Sequence, residues 1–149
     1  MTMAAAALQS CIRGVTRDDQ GFVATTWLKQ MRSVDPDGCH GPRWGPLGRR
    51  VDAVFDRDDT RALIRHKAGD PHVILGWVVY AEGPKTPLLH FLYVRKEQRG
   101  QGYGSALLRA IGITRSTACV YTCRGPSTSR LLHAFKGAVH MPLEELLSP

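Results

Sequence analysis

The sequence predicts a mixed α/β domain in which helices pack on a sheet. Three observations carry this. Periodic segments follow the order strand, helix, helix, three strands, helix, strand, helix. Residues 88–111 join an apolar, aromatic-rich strand to a helix through a basic turn punctuated by glycine. The chain has 149 residues, 43% hydrophobic and 22% charged, enough to bury one core in one domain.

Residues 1–11 read as a weakly ordered extension and 12–149 as the domain. The apolar start, Met1 to Leu8, has no basic residues and is too short for a secretory leader, and no apolar run reaches membrane-spanning length. A cytoplasmic chain without a membrane partner is the expectation. Residues 12–15 form a first strand. Thr16 is a candidate N-cap, with Asp19 three positions on as a variant capping box. A helix over 17–32 follows, with Phe22, Val23, Thr26, Trp27 and Met31 near helical spacing. Seven Pro and Gly residues between 36 and 48 predict a loop over 33–48 that also carries Cys39, His40, Arg43 and Trp44.

Val51, Val54 and Phe55 suggest a second helix over 47–55. Strands are expected over 60–66, 72–81 and 88–94, the last two joined as a hairpin through Glu82-Gly-Pro-Lys-Thr-Pro87. After the turn 95–104, residues 105–111 place Leu107, Leu108 and Ile111 on one helical face. A strand over 118–123 and a helix over 126–135 complete the pattern. Beyond it, residues 138–141 can pair in a sheet, and Pro142 opens a short helix ending near Leu147.

The four cysteines, Cys11, Cys39, Cys119 and Cys123, have no disulfide-framework or zinc spacing, so free thiols and no metal are expected. The net charge of +7 favours an acidic partner, either a phosphate-bearing cofactor or nucleic acid. Arg57, Arg61, Arg65 and Lys67 read as a solvated face or as a nucleic-acid stripe.

The turn is where the chemistry concentrates. Backbone N–H groups at a helix start lack intrahelical partners, and the helix dipole favours an anion there. Gly100, Gly102 and Gly104 let a phosphate approach the backbone, and Arg95, Lys96 and Arg99 add positive charge. The spacing is not the dinucleotide pattern Gly-x-Gly-x-x-Gly, and no carboxylate occurs over 117–124 where that pattern wants one. The phosphate-loop pattern ending in Gly-Lys-Ser/Thr is also absent.

Arg99-x-x-Gly102-x-Gly104 follows the strand ending at Val94 and leads into Ser105-Ala-Leu-Leu. This stretch of about twenty residues resembles the acetyl-CoA motif, Arg/Gln-x-x-Gly-x-Gly/Ala, of the GNAT superfamily of N-acetyltransferases. The resemblance implies a GNAT-like sheet, mostly antiparallel, with two central parallel strands splayed apart. It implies acetyl-CoA as donor and direct transfer to the amine of an unidentified small molecule or protein. The pyrophosphate would rest on Arg99, Gly100, Gln101, Gly102, Tyr103, Gly104 and Ser105. Leu92 and Val94 would run beside the pantetheine, with the amide near Leu92 or Tyr93 facing the thioester carbonyl. The strand holding Cys119 and Cys123 would be the splayed partner.

Many members carry a Tyr as general acid in the last helix, seven residues after an Asn. Those places hold Phe135 and Thr128, which leaves Tyr121, Cys123, Tyr93 or water to protonate the thiolate. Candidate bases for the amine are His90, Glu82 and His133. Alternation puts His90 on the face of Leu88, Leu92 and Val94, where it is either a base or a hydrogen-bonded sheet histidine. The family normally adds two strands after that helix, so the C-terminal end reads as shortened. The sheet edge left behind would be covered by a second copy in a homodimer or by the tail. Two other readings stay open: a GNAT-like protein that binds or modifies nucleic acid, and a non-catalytic acyl-CoA-binding module.

Overall fold

The computed structural model describes residues 11–34, 44–82, 87–122, 135 and 137–140. The elements are β1 (Ile12–Gly14), a 3-10 turn (Arg17–Asp19), α1 (Gln20–Val34), α2 (Trp44–Phe55), β2 (Thr60–Lys67), β3 (Asp70–Ala81), β4 (Leu88–Val94), a second 3-10 turn (Lys96–Gln98), α3 (Tyr103–Ala110), β5 (Cys119–Tyr121) and β6 (Ala138–His140). The strands form one six-stranded sheet in the order β1-β2-β3-β4-β5-β6. Pairing is antiparallel from β1 to β4 and parallel from β4 through β5 to β6.

Alternation along the strands builds two apolar layers. On one face Ile64, Trp77, Val79 and Phe91 meet Val23 and Trp27 of α1 and Val51 and Val54 of α2. Trp27 stacks on Phe91 with ring centres 5.5 Å apart, and Trp77 stacks on Tyr93 at 5.7 Å. The Trp77 indole N–H donates to Thr26 Oγ1 at 2.8 Å, and that hydroxyl donates to Phe22 O at 2.8 Å. On the other face Val78, Leu89 and Leu92 meet Leu107 and Leu108 of α3. At the start of α1 Thr16 donates from N and Oγ1 to Asp19 Oδ2, both at 2.8 Å, while Arg13 grips the same carboxylate at 2.7 and 3.2 Å.

Several expected boundaries shift for physical reasons. The helix expected from residue 17 begins as a 3-10 turn and becomes α-helical at Gln20. The loop expected over 33–48 yields its end to α2, which starts at Trp44 and takes Pro46 into its first turn, where a missing N–H costs nothing. Residues 35–43 lie outside the described set, as do Cys39 and His40. The glycine-turn helix begins at Tyr103, two residues early. Of the expected 1–11 extension only Cys11 is described, buried, with its carbonyl accepting from His66 N–H at 2.9 Å. The helices expected over 126–135 and from Pro142 fall outside the described residues, except that Phe135 is described and not helical.

The basic stripe is the plainest correction. Arg61 and Lys67 are exposed, but Arg65 is buried at 5% exposure among the residues under α3. Register shifts on either side of His66 break the even spacing that made Arg61 to Lys67 look like one solvated row.

Candidate active site

The site starts where β4 runs out. Val94 ends the strand, Arg95 N–H donates to Leu75 O on β3 at 2.8 Å, and a single 3-10 turn follows. Arg99 is extended and folds its side chain back, Nε donating to Val94 O at 3.0 Å. That bond closes the turn upon the end of the strand. Gly100 and Gly102 then take φ of +82° and +86°, a region that L side chains avoid. A Cβ built on either would meet nothing within 4 Å, so the space over both glycines is open.

Gly102 is the N-cap of α3 and no side chain caps it. The first helical bond runs from Ala106 N–H to Gly102 O at 3.0 Å. The N–H groups of Tyr103, Gly104 and Ser105 therefore have no intrahelical acceptor. Arg95 and Lys96 are exposed beside them, and Glu97 is the one acid among residues 95–105. Uncapped donors, a helix dipole and three cations favour an anion here.

Next to it the sheet changes character. The parallel ladder between β4 and β5 covers Leu88–Val120 and Leu89–Tyr121. The carbonyls of Pro87 and Leu89 accept from Val120 and Thr122 at 3.1 and 2.9 Å. A register shift opposite Val79 and Tyr80 then puts an extra residue, His90, into β4. Beyond it Arg95 N–H points at β3 while Val94 O points away, so alternation turns the backbone of Leu92 and Val94 toward the β5 edge. The described ladder stops there, and the residues of the expected splayed partner beyond Thr122 lie outside the described residues. Cys123 lies outside the described residues.

Residues 27–123 match the acetyltransferase (GNAT) family. The chain belongs to that family. The fold resembles those of several solved structures. One is an integron cassette protein from the mobile metagenome of Cole Harbour Salt Marsh, with 17% identity, TM-score 0.58, and coverage of 87% of this chain and 86% of that one. Another is a tetramutant of a Bacillus halodurans protein, with 18% identity, TM-score 0.57, and coverage of 83% and 90%. A third is described as a possible acetyltransferase from Clostridium difficile 630, with 15% identity, TM-score 0.53, and coverage of 82% and 88%. At these identities the likeness is one of fold. No curated protein matches the chain.

Within this GNAT fold the catalytic candidates occupy different surroundings. His90 is fully buried, and β4 does not keep one alternating face through it. The inserted residue explains this: Leu89 and Leu92 both pack under α3 although they are three apart, whereas Phe91 packs on the α1 side. Strict alternation fails at His90. Its Nδ1 lies 3.3 Å from Thr122 Oγ1, and Thr122 Oγ1 donates to His90 O at 3.1 Å. The hydroxyl proton is therefore spent on the carbonyl, and Nδ1 must carry the ring proton. Nε2 is left as a buried lone pair without a partner. Burial pushes the His90 pKa down to about 4, helped by the Arg57 charge and opposed by Asp59. The ring is neutral at pH 7.

Tyr93 and Tyr121 lie on opposite faces of the sheet. Tyr93 is half-buried against Trp77 and Phe22 on the α1 side. Tyr121 packs against the cluster under α3. Glu82 is exposed and follows Ala81, which pairs with Leu88, at the end of the hairpin away from the glycine turn. Phe135 is buried among Leu89, Leu92 and Leu108. His133 and Thr128 lie outside the described residues. Among the described residues no group of His, Cys, Asp and Glu can hold a metal. Cys119 is a buried free thiol whose pKa is raised by burial.

Two residues with a bearing on the site escaped the sequence reading. Thr122 is one, because its value lies in a contact with a residue thirty-two positions away. Arg65 is the other, because its even spacing from Arg61 and Lys67 imitated a solvated strand.

Proposed function

We propose that the chain is an acetyl-CoA-dependent N-acetyltransferase that passes the acetyl group directly to an amine. The observation that carries this is the open glycine turn at the end of β4 with its uncapped helix start. The residues fit the donor: the space over Gly100 and Gly102 admits a diphosphate, and the first-turn N–H groups of α3 face it. Acetyl-CoA, when bound, supplies an acetyl group activated as a thioester.

The chain's own groups supply the rest. The N–H groups of Tyr103, Gly104 and Ser105, with Arg95, Lys96 and the Arg99 fork, hold and neutralise the diphosphate. Gly100, Gln101 and Gly102 keep the backbone close to it. The backbone edge of Leu92 and Val94 guides the pantetheine, and an amide at Leu92 or Tyr93 steadies the carbonyl oxygen. Neutral His90 offers Nε2 as the acceptor for the amine proton, and Thr122 holds its tautomer. Tyr121 on one face, Tyr93 on the other, or water returns a proton to the thiolate. Glu82 is the remaining candidate base and is solvated.

The acceptor is an amine on a small molecule or a protein, in a chain that works in the cytoplasm. The test is release of free thiol from acetyl-CoA against a panel of amines, comparing wild type with His90→Gln. Turnover with at least one amine, reduced about 10²-fold or more in the variant, supports the reading. Wild-type binding of acetyl-CoA without transfer to any amine would instead favour a non-catalytic acyl-CoA-binding module, the reading that buried Phe135 motivates.

A further inference from the structure

Arg65 is a cation in the wrong place for a structural residue. It lies on β2, with Gly76 beside it on β3 and Val94 beyond on β4, in the row that feeds the glycine turn. It is 5% exposed, and its Nε and Nη1 are buried without any hydrogen-bond partner. The ion pairs among the described residues are Arg13–Asp19 and Arg57–Asp59, and Arg65 belongs to neither. It lies over the Tyr103 ring, whose centre is 4.7 Å from the guanidinium carbon. Tyr103 is the first residue of α3.

A buried guanidinium that gives up water without gaining an acceptor destabilises the chain that carries it. The Tyr103 ring offsets a part of that through its negative face. The dipole of α3 is positive at this end, and Arg95, Lys96 and Arg99 of the adjoining turn outnumber its one acid, Glu97. Gly76 keeps the row clear between Arg65 and Val94, because a Cβ there would stand 2.7 Å from Tyr93 O and 3.6 Å from Leu107 Cδ1. The charge is therefore held against the first residue of α3, with two of its nitrogens lacking an acceptor.

We propose that Arg65 is a positioning residue for the phosphates of the donor. It acts from beneath, by holding Tyr103 and by supplying the buried positive charge that a diphosphate over Gly100–Ser105 neutralises. This rests on the acetyl-CoA reading of the turn. It extends the site beyond the glycine motif, to a strand that the motif does not include. It also predicts that the residue improves binding at the expense of the empty protein.

The test compares acetyl-CoA with S-acetylpantetheine, which has the thioester arm and no phosphates, on wild type, Arg65→Met, Arg65→Gln and Arg65→Lys. Both neutral variants should bind acetyl-CoA about tenfold or more weakly, as expected for a lost interaction with a charged group. Their affinity for S-acetylpantetheine should match that of wild type. Arg65→Lys should recover most of the acetyl-CoA affinity. Without ligand, Arg65→Met should melt no lower than wild type, since it removes a buried unpaired charge. An unchanged ratio of the two affinities in the neutral variants would overturn the assignment. So would an equal loss for both ligands, which marks a merely structural residue. If Arg65→Met does not fold, the ratio is read from Arg65→Gln and Arg65→Lys by the same criteria. Wild type that binds no acetyl-CoA removes the reading of the turn itself, whereas wild type that binds with an Arg65-independent ratio removes only this inference.

Discussion

At the scale of single residues, His90 has the most to report. A histidine whose folded pKa is about 4 against an ordinary value near 6.5 prefers to take its proton in the unfolded chain. Its contribution to stability is whole above pH 6.5 and is lost as pH falls toward 4, up to about 3 kcal/mol. Chemical denaturation across that window should show wild type losing stability more steeply than His90→Gln; parallel curves would show that the ring is not held neutral. Asp19, held far below the ordinary carboxylate range by Arg13, gives way only at still lower pH and does not confuse the window. Thr26→Val should cost about 1–3 kcal/mol in urea midpoint measurements, because it strands the Trp77 indole N–H in the core. Neither His90 nor Arg65 was legible in the sequence beyond its residue type. The burial of each depends on a break in strand alternation, and a period-two pattern contains no sign of where it will slip.

At the scale of elements, the turn between β4 and α3 was legible almost to the residue, because its glycines are tied to backbone angles that few other residues adopt. Gly102→Ala should cost about 1–2 kcal/mol for its φ of +86° alone, since the added Cβ meets no atom. Gly76→Ala should cost about 1–3 kcal/mol for the opposite reason: its angles are ordinary but the Cβ would press on the Tyr93 carbonyl. Thermal melts of the two variants separate strain from crowding, because only Gly102→Ala should also weaken donor binding. The start of α2 at Trp44 was not legible. Gly45, Pro46 and Gly48 read as loop residues one by one, yet a helix N-terminus tolerates them when Val51 and Val54 anchor the following turns in the core.

At the scale of the whole molecule, the order of elements identified the sheet because local connections dominate it: β2, β3 and β4 pair with their neighbours in sequence. The parallel strands β5 and β6 were harder. Each is three residues long, and β6 carries an exposed Val139. Gly137 fixes the approach of β6, since a Cβ would stand 2.7 Å from Thr117 O. The net charge of +7 suits a phosphate-bearing donor and does not by itself choose the amine. The central claim is that the glycine turn holds the diphosphate of acetyl-CoA. Titration calorimetry of acetyl-CoA into wild type and into Gly102→Glu, which sets a carboxylate over the open turn, tests it most directly. Saturable binding by wild type that the variant loses, while both show the same folded circular dichroism, is the predicted result; equal affinity in the two, or no binding by wild type at millimolar donor, would contradict it.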